Sequence, residues 1–101
     1  LLESEIIQIK DLIVEEIEPE IIYYCETAPL HIFLVIWDIE MGNMEKHIYL
    51  RRILKYVNVP IDITTYSSKG FKKYIQQNFL SDLVNSSRIL YEKDKIPILQ
   101  N

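Results

Sequence analysis

The chain has 101 residues, 49% of them hydrophobic and 26% charged, with only two glycines and four prolines, which is the make-up of one globular domain and excludes a disordered chain. A domain of this length buries roughly 60–68% of the surface its unfolded chain would expose, so one modest core is all it can build. The formal charge of −4, from 15 acidic and 11 basic side chains, supplies no overall basic field and disfavours nucleic acid as a partner.

The single cysteine, Cys25, cannot form an internal disulfide. No charged segment followed by a long apolar run opens the sequence, so a reducing cytoplasmic setting is expected. The longest continuous apolar stretch, Ile32 to Trp37, is six residues, against the roughly 20 that a membrane-crossing helix requires.

Taken in chain order, Ile6, Ile9, Ile13 and Ile17 recur at helical spacing between polar residues and predict an amphipathic helix from Glu3 to Glu18 that Pro19 ends. Ile21 to Cys25 reads as a short strand. Leu30 to Trp37 reads as a longer one, apolar enough to be covered on both faces. Gly42 and Asn43 introduce a second helix over Met44 to Tyr56, with Leu50, Ile53, Leu54 and Val57 on its apolar side. Ile61 to Tyr66 alternates as a third strand. Ser67 or Ser68 caps a helix through Phe71 and Tyr74, and another short helix covers Phe79 to Asn85. Arg88 to Tyr91 forms a last strand or extended arm. The expected order is α-β-β-α-β-α-α-β, a small mixed sheet with helices packed on it. One domain over residues 1–93 is followed by a tail over 94–101 that carries Pro97 and no periodicity.

Several side chains are candidates for chemistry, each with a plain structural alternative. Asp38 and Glu40 form a D-x-E just past the second strand, where carboxylates two apart in extended chain face one side and can share a cation; equally, they solvate a strand end. Asp62 lies between Ile61 and Ile63 as a metal-site carboxylate or as the partner of a basic side chain. His31 and His47 have no Cys or Asp at ligand spacing, so His31 reads as a hydrogen-bonded strand residue. Cys25 has no neighbouring base and reads as a small buried residue. Arg51, Arg52 and Lys55 share one side of the second helix, and with Lys72, Lys73 and Arg88 they make either a basic patch for a phosphate or acidic partner, or a solvated face. Seven tyrosines are too many for the central core, so some are expected at a contact surface.

Three segments carry a resemblance. Val59-Pro60-Ile61-Asp62-Ile63, the polar helix start at Ser67, and Ile89-Leu90-Tyr91-Glu92 are similar to the closing part of the minimal nucleotidyltransferase domain, with its V-P-V-D-V strand and its V-L-Y-E ending. The first helix and Pro19-Glu20-Ile21-Ile22-Tyr23-Tyr24 resemble that family's opening helix and first strand. The family's chemistry needs a Gly-Ser turn for the nucleotide phosphates, a D-x-D pair and a third carboxylate, which together hold divalent metals. At the Gly-Ser position this chain has Tyr24-Cys25 or Cys25-Glu26. At the D-x-D position it has His31-Ile32-Phe33. Only Asp62 matches the third carboxylate.

Each departure removes a function, since a Cβ blocks close approach to phosphate and Phe33 offers a cation no oxygen. The resemblance therefore implies a nucleotidyltransferase-like fold without transfer activity and without a cofactor. Its expected role is protein binding, either to a helical HEPN-type protein, as the antitoxin half of such a pair, or to itself. The alternative is an active or nucleotide-sensing form, with magnesium and a nucleoside triphosphate at a rebuilt site of Asp62 with Asp38 or Glu40.

Overall fold

The structure, a computed structural model, describes residues 1–27 and 30–94. Helix α1 spans Glu3–Ile17 and ends at Glu18, which adopts a left-handed conformation and donates its N–H to the Val14 carbonyl; Pro19 follows and cannot continue the helix. Strand β1 (Ile21–Thr27) pairs antiparallel with β2 (Leu30–Ile36) in unbroken register from Ile21↔Ile36 to Thr27↔Leu30. Strand β1 thus runs two residues past the expected Cys25, because Glu26 and Thr27 pair opposite His31 and Leu30 although their polarity gives no strand signal.

Helix α2 (Asn43–Ile53) begins with the Gly42 backbone N–H donating to Glu45 Oε1 and stops three residues before the expected Tyr56. Leu54 leaves helical geometry and the turn closes through Lys55 N–H to Arg52 O and Val57 N–H to Leu54 O. The chain must turn here to bring Pro60 and then β3 (Asp62–Tyr66) alongside β2 in parallel, with Ile32↔Asp62 and Ile36↔Tyr66 at the two ends of the register. Helix α3 (Ser68–Tyr74) starts with Ser67 Oγ accepting from Gly70 N–H, the capping role expected of one of the two serines. Helix α4 (Asn78–Asn85) and β4 (Arg88–Glu92) complete the domain, and β4 pairs antiparallel with β1.

The element order is the expected one, and the four-stranded mixed sheet runs β3-β2-β1-β4. Alternation along β2 divides the core between its faces. Phe33 and Val35 pack with Ile6, Ile9 and Ile13 of α1 and with Leu50 and Leu54 around α2. Leu34 and Ile36 pack with Leu80 and Leu83 of α4, with Phe71 and Ile75 from the α3 side against them. The central strand is therefore covered on both faces, as its continuous apolar run predicts. Full burial of each of these side chains contributes roughly 1.5–3 kcal/mol. Lys93 N–H donates to Glu20 O just past β4, and of the expected tail, residues 95–101 lie outside the described residues.

Candidate functional site

The register across β1, β2 and β3 sets Cys25 opposite Ile32 and Ile32 beside Asp62. Neighbours in register share a face, so these three form one cross-strand row on the side of α3 and α4. Cys25 and Ile32 pack there with Leu34 and Ile36. Cys25 is buried, as its plain reading has it, with its Sγ 3.1 Å from Thr27 Oγ1. Asp62 is exposed at the start of the edge strand, and among the described residues no ion pair includes it. Phe33 lies on the opposite face with Ile63, and His31 shares its parity along β2. Carboxylates at 31 and 33 would therefore not converge with Asp62, whereas positions 30 and 32 lie on its face.

The C-terminal end of the parallel pair carries a second cluster. Asp38, just beyond β2, accepts the backbone N–H of Ser68 at 2.7 Å and also its hydroxyl, which ties the start of α3 to the end of the neighbouring strand. Desolvation at this position pushes its carboxyl up, but the two hydrogen bonds from Ser68 and the charge of Lys46 outweigh it and hold Asp38 below the ordinary carboxylate range. Lys46, on α2, is 1% exposed and donates Nζ to the Trp37 carbonyl at 2.5 Å, with the Trp37 ring centroid 5.7 Å away. Burial lowers its pKa, and Asp38 partly offsets that.

Sequence reasoning passed over Lys46. The signal was its phase, since Lys46, Leu50 and Leu54 fall at successive helical repeats on the inward face of α2.

These two clusters sit at opposite ends of the strands. From Ile32, beside Asp62, to Asp38 is six residues of nearly extended chain, roughly 20 Å. The rebuilt site that would combine Asp62 with Asp38 or Glu40 is therefore not assembled. Both Asp38 oxygens are already engaged by Ser68, and Glu40 is exposed in the bend that follows. Among the described residues no group of three His, Cys, Asp or Glu side chains gathers around a possible metal position. The thiol, aliphatic chain and single carboxylate of the row do not fit the oxygen cage that two magnesium ions and a triphosphate require.

The remaining candidates are also separated. Tyr24 is buried with its Oη 2.8 Å from His31 Nδ1 and 3.5 Å from Glu26 Oε1, so His31 is the hydrogen-bonded strand residue expected. Burial, then the charge and hydrogen bond of Glu26, raise the Tyr24 pKa against the opposing charge of Arg88. Arg88 stacks on the Tyr24 ring and pairs with Glu3 of α1 at 2.7 Å. Arg51 and Arg52 are exposed in the last turn of α2, and Arg51 reaches the Ile61 carbonyl at 3.4 Å. Lys55 lies in the turn after the helix, over the Tyr56 ring. Lys72 and Lys73 belong to α3 on the other face of the sheet, and Arg88 to the far edge. The six basic side chains thus form no single patch. His47 is exposed on α2. Of the seven tyrosines only Tyr24 is buried, and Tyr56 is 87% exposed.

Compared with protein-family models, with curated proteins and with solved structures, the chain gives no match.

Proposed function

We propose that this chain is a nucleotidyltransferase-like scaffold that has lost transfer chemistry and acts by binding another protein. The observation that supports this most directly is the row Cys25, Ile32, Asp62. The segments that resemble the Gly-Ser turn, the D-x-D pair and the third carboxylate lie on the adjacent strands β1, β2 and β3, but the two D-x-D positions, His31 and Phe33, fall on the face opposite Asp62, so side chains there share no two-metal site with it. Beside Asp62 in the row stand Ile32 and Cys25, which bind neither phosphate nor a hard cation.

A helical HEPN-type protein is the partner the resemblance implies. The lone, buried Cys25 fits a reducing, cytoplasmic setting. Calorimetric titration of the chain with ATP, GTP, CTP and UTP in magnesium tests the loss of the nucleotide site. No heat with any of the four is the expected result. Magnesium-dependent binding that Asp62→Asn abolishes would overturn it.

A further inference from the structure

The two edges of the sheet are treated differently by the sequence. At β4 the ladder to β1 is interrupted by a register shift between Ile22 and Tyr23, and the strand begins with Arg88, which pairs with Glu3 of α1. Bulges, charges and a covering helix are the usual devices that keep an edge from pairing with another chain. Strand β3 has neither a bulge nor a charge beyond its first residue. Its register with β2 runs without interruption through all five residues, it holds no lysine or proline, and its only charge is Asp62 at the first position.

Beside this edge runs a groove of about 500 Å³ between β3 and α2. Met44 and Ile48 of α2 line it and are 77% and 52% exposed. A free strand edge with apolar side chains along it calls for an extended chain as the occupant.

We infer that the occupant is β3 of a second copy of this chain, paired antiparallel about a two-fold axis through Thr64 so that the two sheets join into one. Charge favours a copy at this place. The chain as a whole carries −4, so two copies repel over most of their surfaces, but no aspartate, glutamate, lysine or arginine lines the groove. Register favours it as well. An antiparallel two-fold pairing keeps each residue on its own face, uses all five positions and sets Thr64 opposite Thr64, a favourable cross-strand pair. Asp62 then meets Tyr66 of the second copy and not its own equivalent. Met44 and Ile48 of the two chains close over the join.

This inference deepens the reading of the chain as a protein-binding scaffold and rests on it, but the two fail separately, because mass and nucleotide binding are measured independently. Sedimentation of the 101-residue chain over a range of concentrations should give the mass of two chains, dissociating on dilution. Met44→Lys with Ile48→Lys changes two side chains that are exposed in the single chain, so the circular dichroism spectrum should be unchanged. The dissociation constant should rise about tenfold or more, the factor that corresponds to about 1.4 kcal/mol. Independently, Thr64→Cys should oxidise to a covalent dimer. Residues opposite one another in an antiparallel pair lie about 4.5–5.5 Å apart at Cα, within disulfide reach, and the native Cys25 is buried. A chain of single mass at every concentration overturns the inference and leaves the groove to an extended segment of another protein. A dimer that neither change affects overturns it too.

Discussion

The carboxylate of Asp38 accepts both the backbone N–H and the hydroxyl of Ser68, 30 residues further along the chain. It thereby joins the end of β2 to the first turn of α3, whose leading N–H groups have no partner within the helix.

Replacing Asp38 with alanine should cost about 0.5–2 kcal/mol, the usual worth of a group that caps a helix start. The loss should depend on pH. The folded pKa of Asp38 lies below its unfolded value, so the stabilisation is complete above the unfolded value and fades as pH falls through the folded one. Urea unfolding of both proteins at neutral pH and at about pH 3 checks this. A gap that stays constant or widens in acid would contradict the assignment.

Lys46 has the opposite sign of pH dependence. Burial depresses its folded pKa below the ordinary lysine value, so between the two values the unfolded chain holds more protons and stability climbs with pH. Below that window the buried ammonium is a standing cost. Lys46→Met keeps the packing and removes the charge, and wild type should gain on this variant as pH rises from neutral toward the ordinary lysine range. Lys46→Ala should be worse than methionine by about 2 kcal/mol or more, because it leaves a cavity against Leu50 and Trp37. Thermal unfolding of the three proteins across that pH range reads both effects.

Glu18 is the one residue other than glycine that has a positive φ, at 46°, among the described residues. A side chain in that region crowds the following carbonyl, and glycine does not. The Glu18→Gly chain should therefore be more stable than wild type by roughly 0.5–1 kcal/mol after the added freedom of its unfolded state is counted. An unchanged or lower melting temperature would show that the strain is relieved some other way.

How much of this could be read in the sequence depended on whether its cause is local. Ile6, Ile9 and Ile13 recur at the spacing that puts them on one helix face, and Ile32 to Ile36 form a run too apolar for any surface, so α1, β2 and the order of all eight elements were legible. The ends of β1 and α2 were not. Glu26 and Thr27 are held in β1 by pairing across the hairpin, and α2 stops where the chain must turn toward β3. The distance between Asp38 and Asp62 was hidden for the same reason. Both follow apolar runs, but only the parallel register reveals that one stands at the close of its strand and the other at the opening of the next. The Ser68 that engages Asp38 comes near it only after the β2-α2-β3 crossover has formed.

That crossover also orders assembly in time. Strands β1 and β2 meet through a hairpin whose last pair is Thr27↔Leu30, β3 reaches β2 only after residues 37–61 have looped back, and β4 pairs Arg88 with Tyr24 across most of the chain. Each longer loop carries a larger closure entropy before any contact compensates it. The sheet therefore grows outward from its middle during folding, and its margins are the first to open in the native state. Of the two, β4 closes the longer loop and its Glu3–Arg88 pair is exposed to solvent, whereas Asp38 ties the chain just past β3 to the end of β2, so the β4 margin is the more labile seam.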